Sequence, residues 1–253
     1  MIPIRKGKQL GLMRDAGRIA SEILKECAKL ARPGISTGEI DAAAAEFMAE
    51  RNCVSAFLGY RGFPGQICIS LNEEVVHGIG SPRRIIQYGD IVKIDVGVIV
   101  DGWVGDNALT VPVGEIAPEV RRLLEVTEQS LHRGIEQARD GVRLGDLSNA
   151  IESHVRENQL AVVREFVGHG VGKKLHEEPQ IPNHGRRGTG PTLRAGMILA
   201  IEPMVNLGTE NVRILEDNWT VVTVDALCSA HFEHTVLVTD GDPEILTWRE
   251  RLA

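Results

Sequence analysis

Ile91 to Thr110 reads IVKIDVGVIVDGWVGDNALT, and its centre decides how the rest is arranged. Asp101-Gly102 stands between two runs rich in Val and Ile. A two-residue loop of that composition joins antiparallel strands, because Asp and Gly tolerate the positive φ angles of tight hairpin turns. The turn fixes the register: Val100 faces Trp103 and, counting back, Gly97 faces Asp106. Side chains alternate between the faces of a strand. Asp95, Gly97 and Asp106 therefore share one face, while Val92, Ile94, Val96 and Val98 share the other and can enter a core. Asp95 and Asp106 are diagonal neighbours, with α-carbons roughly 7–8 Å apart. Like charges held so near repel and raise one another's pKa unless a cation neutralises them. A solvated strand face with two exposed aspartates fits the same pattern, so the hairpin alone leaves a metal site and a wet face both open.

Outward from the hairpin, helix-like stretches occupy Leu10 to Leu30 and Thr37 to Arg51, and again Glu119 to Ala138 and Leu144 to Asn158. Gly and Pro mark the breaks between them. Ala31-Arg32-Pro33-Gly34-Ile35 resembles Ala138-Arg139-Asp140-Gly141-Val142, 107 residues further on, and repetition of this kind predicts two related halves. Strand-like runs follow each helical portion, including Val92 to Val100, Met197 to Ile201, Trp219 to Val224 and Thr235 to Val238. Paired helices followed by hairpins predict an α+β fold with antiparallel strands and helices on one side. No linker or low-complexity segment interrupts the chain, so residues 1–253 read as a single domain whose halves meet near 115/116.

Composition narrows the function. With 253 residues and 43% hydrophobic content the chain can bury a sizeable core. No run approaches the ~20 apolar residues of a membrane span, and the start carries no secretory signal, so a cytoplasmic protein without membrane contact is expected. Cys27, Cys53, Cys68 and Cys228 show no paired spacing, which argues against disulfides and a thiolate zinc site. A net charge of −7 speaks against bulk attraction to nucleic acid, and specific DNA binding is not expected.

Three further segments carry candidate ligands. His169 lies in Gly168-His169-Gly170-Val171-Gly172, where flanking glycines would let the backbone turn tightly and leave the imidazole accessible. Glu202 ends an apolar run and precedes Pro203, which stops a strand ladder. Glu233 alternates with His231 and Thr235 in Ala230-His231-Phe232-Glu233-His234-Thr235-Val236. Each carboxylate would be odd in a core unless partnered.

In order and spacing, Asp95, Asp106, His169, Glu202 and Glu233 resemble the dinuclear metal site of the methionine aminopeptidase family. The neighbouring motifs Val167 to Gly172, His176-Glu177-Glu178-Pro179, Ile201-Glu202-Pro203-Met204 and Phe232-Glu233-His234-Thr235 are similar to that family's signatures, and the likeness covers almost the whole chain. The resemblance implies the pseudo-two-fold pita-bread fold, an antiparallel sheet with helices on its outer face. It implies removal of the initiator methionine from nascent proteins by hydroxide attack at two divalent ions, with Asp106 and Glu233 bridging, Asp95 on one ion, and His169 with Glu202 on the other. Four carboxylates and a neutral imidazole balance two divalent cations, and this donor set does not choose among Co, Mn, Fe and Zn.

By the same resemblance Glu202 moves the proton during attack, His176 donates to the oxyanion, and His77 contacts the peptide around the scissile bond. Tyr60, Phe63, Cys68, His77 and Trp219 would form the methionine pocket, with Phe57 and Leu175 at its border. Bacterial relatives often carry cysteine where Phe57 stands and phenylalanine where Leu175 stands, which puts the depth of the pocket in question. Prolidases and proline aminopeptidases resemble the chain only after a long N-terminal domain. The spacing of 31 positions from Glu202 to Glu233 leaves no room for the insertion of type II enzymes, so a bacterial-like type I enzyme fits best. The other reading is an inactive binding protein of the same fold. The expected partners are N-terminal peptides of nascent proteins. The enzyme is expected to be a monomer, with Arg83-Arg84, Lys173-Lys174 and Arg186-Arg187 available for transient ribosome contact.

Overall fold

The computed structural model describes residues 2–248. Its four long helices are α1 (Lys8–Leu30), α2 (Thr37–Glu50), α3 (Pro118–Ile135) and α4 (Leu144–Glu157), within a few residues of the stretches marked by composition. Ser36 caps α2 reciprocally: its hydroxyl accepts from the Glu39 N–H while the Glu39 carboxylate accepts from the Ser36 N–H. Pro118 opens α3, where its fixed φ suits the first turn and its missing N–H costs no helical bond.

Strands Ile91–Val100 and Trp103–Pro112 form the expected hairpin, paired Val100 to Trp103 and Gly97 to Asp106. Asp101 and Gly102 both adopt positive φ, 48° and 77°. Val92, Ile94, Val96 and Val98 are fully buried. Gly105, cross-strand partner of Val98, shows what covers that face: a Cβ there would lie 2.2 Å from the Ala16 carbonyl oxygen of α1. With Ala16, Gly17 and Ala20 on its buried stripe, α1 seats its backbone directly on the hairpin, so the aspartate face is turned away from the helix.

A second set of strands follows α3 and α4. His169 lies in the short strand Gly168–Gly170, which pairs with Ile198–Ile201; that strand in turn pairs with His234–Leu237. All pairings between strands of the described residues are antiparallel. Backbone bonds recur at the sequence offset noted above. The Gly34 N–H donates to Ile86 O at 2.9 Å and the Gly141 N–H to Leu193 O at 2.9 Å; Thr37 donates to Arg84 O and Leu144 to Pro191 O, each at 2.9 Å.

Two expectations need correction. Trp219 is not in a strand: the Asp217 carboxylate accepts from the Trp219 and Thr220 N–H groups, making a turn, and the strand begins at Val221. The glycines around His169 do not make a tight turn. They let strands approach, since a Cβ on Gly168 or Gly170 would lie 2.4 Å from Ala200 O or 2.1 Å from Glu178 O.

The close seat of α1 gives a two-sided expectation. Gly105→Ala should destabilise the protein by at least about 1–3 kcal/mol, because the clash is with backbone. Gly11→Ala, exposed in α1 with nothing near its Cβ, should stabilise it by about 0.5–1 kcal/mol. Urea unfolding midpoints read both.

Candidate metal centre

Elements distant in sequence converge beneath the hairpin. Asp106 is delivered by its second strand, His169 by the strand Gly168–Gly170, and Glu233 by the crossing between strands Ser229–His231 and His234–Leu237. Ligand atoms of Asp106, His169 and Glu233 lie within 4.8 Å of one another, and all three residues are buried. Glu202 follows strand Ile198–Ile201; its Oε1 is 3.5 Å from His169 Nε2, which is 3.7 Å from Asp106 Oδ2. Asp95, with Cys68 opposite it on the neighbouring strand, stands near enough to raise the proton affinity of Glu202. The structure thus brings Asp106, His169, Glu202 and Glu233 together, with Asp95 on the same face of the hairpin as Asp106.

Their backbones are fixed by neutral groups. The Thr235 hydroxyl accepts from the Asp106 N–H at 3.3 Å and donates to Asp106 O at 2.7 Å. The Glu233 N–H donates to Ala108 O at 2.9 Å, and the Asn183 side-chain amide donates to Glu202 O at 3.0 Å.

Burial and then the Asp106 charge push Asp95 well above the usual carboxylate range; burial raises Asp106, and burial followed by Asp95 and Asp106 raises Glu202. Burial pulls His169 down to about 3, so its ring is neutral. Its Nδ1 meets Gly170 O at 2.9 Å. A carbonyl can only accept, so the proton sits on Nδ1 and the Nε2 lone pair faces the carboxylates, the tautomer a metal ligand requires. Asp95 Oδ1 and Asp106 Oδ1 are buried without a hydrogen-bond partner. Acceptor-only oxygens and an imidazole lone pair aimed at one point fit a divalent cation.

Around this cluster stand the other candidates. His176 is exposed, its ring 4.2 Å from that of His169, and its Nδ1 is 2.8 Å from the Tyr60 hydroxyl. The Glu177 carboxylate shapes the loop beside it, accepting from the Lys173 and Lys174 N–H groups and from Arg5. His77, at φ 60°, meets Trp219 edge to face at 6.3 Å, and Trp219 meets Phe63 at 5.2 Å. Phe57 fills the space above Gly97, where a Cβ would fall 2.4 Å from its ring. Leu175 is buried next to His176 in the chain.

Sequence reading missed three residues. Phe166 packs edge to face on His77 at 5.5 Å. Lys93, on the aspartate face, is buried and donates to Asn72 O at 2.8 Å and Ser229 O at 2.9 Å. His231 brings Nε2 to 3.5 Å from Glu202 Oε2. Strand alternation places Lys93 with Asp95 and His231 with Glu233, so both signals lay in the sequence; Phe166 left none. A cavity of about 950 Å³ between α1 and α3, lined by Leu109, Leu124, Phe232 and Trp248 among others, contains none of the five ligand candidates.

The profile of metallopeptidase family M24 matches residues 11–240. A methionine aminopeptidase of Bacillus subtilis is 50% identical over 98% of this chain and 99% of its own. The crystal structure of methionine aminopeptidase from Thermotoga maritima superposes with a TM-score of 0.97 at 43% identity, covering 98% and 100% of the two chains. Prolidase from Pyrococcus furiosus, 23% identical, matches with a TM-score of 0.78 over 98% of this chain and 66% of its own, a likeness of fold alone.

Crowded carboxylates should make the metal-free protein easy to improve. After chelation, Asp106→Asn should raise the melting temperature by removing one of several like charges. A divalent ion at a hundred times its dissociation constant should add about 2.7 kcal/mol to the unsubstituted protein and much less to the variant. Calorimetry with EDTA and with Mn²⁺ measures both, and a midpoint indifferent to divalent ions would remove the metal reading.

Proposed function

The chain belongs to metallopeptidase family M24, among the methionine aminopeptidases, and from that premise we propose how its residues share the work of removing an initiator methionine. Its activity is methionyl aminopeptidase activity, its substrates are N-terminal peptides, and it uses divalent metal. In our reading Asp95, Asp106, His169, Glu202 and Glu233 would hold two such ions. Co, Mn, Fe and Zn all suit these donors. The observation that carries this reading is the convergence of buried Asp106, His169 and Glu233 within 4.8 Å, beside rings that suit a thioether.

When bound, such ions polarise the scissile carbonyl and make a water acidic enough to attack at neutral pH. The Glu202 carboxylate takes the proton of that water and passes it to the departing amine. The Tyr60 hydroxyl donates to His176 Nδ1, which leaves the Nε2–H to meet the oxygen as negative charge develops. His77 stands against the peptide near the bond to be cut, held by Trp219 and Phe166. Phe63, Tyr60, Trp219 and Cys68 receive the methionine side chain, with Phe57 and Leu175 at the rim. Sulfur–aromatic contacts there are worth about 0.3–1.5 kcal/mol each.

Residues 1–115 and 116–253 are, in this reading, related halves of one domain, supported by the hydrogen bonds that recur at a fixed offset. The enzyme would act in the cytoplasm as a monomer. Ribosome contact would run through Arg83-Arg84, Lys173-Lys174 and Arg186-Arg187, although Arg84 is already engaged by Glu74 at 2.8 Å and Lys173 lies over the Trp103 ring.

Hydrolysis of a Met-Ala-Ser peptide by metal-stripped enzyme, after adding back each divalent ion, tests reaction, specificity and cofactor together. Asp106→Ala and Glu233→Ala should abolish turnover. His176→Ala should bind metal as before and lose about 10²–10³-fold in kcat. A metal-loaded enzyme that releases no methionine would favour the inactive binding protein.

A further inference from the structure

His231 has no part in the reaction set out above. It is 1% exposed and lies outside the five ligand candidates. Its main chain is pinned on both sides: the N–H donates to the Thr110 hydroxyl at 3.0 Å, and that hydroxyl donates to His231 O at 2.8 Å. The side chain has no such anchor at its tip. Nε2 is buried without a hydrogen-bond partner, and the atom it faces is Glu202 Oε2, at 3.5 Å. The other oxygen, Oε1, faces His169 Nε2 at the same distance. The Glu202 carboxylate is therefore bracketed by two imidazoles, one among the ligands and one behind them. His77 and Lys93 are the other ionisable groups near His231. Lys93 is committed to the carbonyls of Asn72 and Ser229, so neither of these carbonyl bonds competes for the imidazole.

We propose that His231 is a positioning residue for Glu202, its Nε2–H donating to Oε2 so that Oε1 is presented to the ion beside His169. The present separation exceeds an ordinary hydrogen bond by a few tenths of an ångström, a gap that a small rotation of either side chain closes. A ligand carboxylate whose far oxygen is held keeps its plane and orientation, and loss of such a partner typically weakens metal affinity or activity 10–100-fold. This proposal rests on the reading of Glu202 as a ligand. It differs from a direct ligand role for His231, because Glu202 lies between that ring and His169.

The test compares His231→Gln, whose amide can donate to Oε2, with His231→Asn, whose amide is too short to reach, and His231→Phe, which has no donor. Calorimetric titration of stripped protein with Mn²⁺ counts ions and measures their affinities, visible absorption of the Co²⁺ form reports the ligand geometry, and Met-Ala-Ser hydrolysis separates kcat from KM. His231→Asn and His231→Phe should weaken one equivalent of Mn²⁺ by 10–100-fold, lower kcat by a similar factor and leave KM within about twofold. His231→Gln should recover most of both losses. The Gln and Asn pair keeps the test valid if the Phe variant does not fold. Unchanged Mn²⁺ affinity in the Asn variant would overturn the proposal, as would complete loss of one equivalent, which would make His231 a ligand, or an effect on KM alone. An unsubstituted enzyme inactive with every ion would fail the parent reading, while the Mn²⁺ titration would still decide this one.

Discussion

Negative charge concentrated in a nearly dry site is the constraint on which the structure turns. Asp95, Asp106 and Glu202 each raise their hold on a proton through burial, and Asp95 and Glu202 also through neighbouring carboxylates. Such a set opposes its own assembly, so the scaffold must impose it. It does so with neutral contacts: the Thr235 hydroxyl on Asp106, the Ala108 carbonyl under Glu233 and the Asn183 amide on Glu202. The nearby ammonium of Lys93 is directed at two backbone carbonyls. Cationic side chains bonded to the ligands would relieve the repulsion and compete with the ion. Fixing main chain with uncharged partners keeps geometry and charge separate, and the carboxylates remain available to a metal.

Close approach of backbones is the second requirement. Strand Gly168–Gly170 sits against its neighbours at distances no Cβ would permit, and the hairpin meets α1 through Gly105 in the same way. One side of the hairpin is sealed by a helix with small residues on its stripe, and the other is left for chemistry. Gly97 applies the same logic within the site, since the bare position opposite Asp106 is where Phe57 enters. The bulky ring of Phe57 therefore rests on an absent side chain in the sheet, which explains how it is accommodated there.

Much of this was legible beforehand because the decisive signals are local. The Asp101-Gly102 turn dictated the pairing of Asp106 with Gly97, and the helix boundaries followed from Gly, Pro and apolar spacing. Trp219 was misread because Val221 to Thr223 continue a β-branched pattern through it, whereas Asp217 holds the backbone in a turn. The glycines around His169 were misread because sequence cannot distinguish a glycine chosen for its φ from one chosen for lack of a side chain. Long-range contacts were out of reach on the residues alone. Only folding brings Phe166 to His77 or Arg5 to Glu177, and the grouping of the five ligand candidates was legible chiefly through family likeness.

The site is divided by mechanical role. The five ligand candidates stand on strands or within two residues of them, where ladder pairing holds the main chain. His77 and His176 stand on connecting segments. Such segments are ordinarily the mobile part of a protein, and here each is restrained by a specific device. The segment at His77 is backed by Gly78, whose Cβ position is filled by Ile69 O at 2.3 Å, and its ring is gripped by Trp219 and Phe166. The loop before His176 is gathered by Glu177, which Arg5 ties to the N-terminal segment and over the Trp103 ring of the hairpin. The same hairpin that carries Asp95 and Asp106 thus also braces the loop of His176. In the proposed reaction one rigid element thus sets His176 relative to Asp95 and Asp106, which gives orientation without adding charge to a crowded centre.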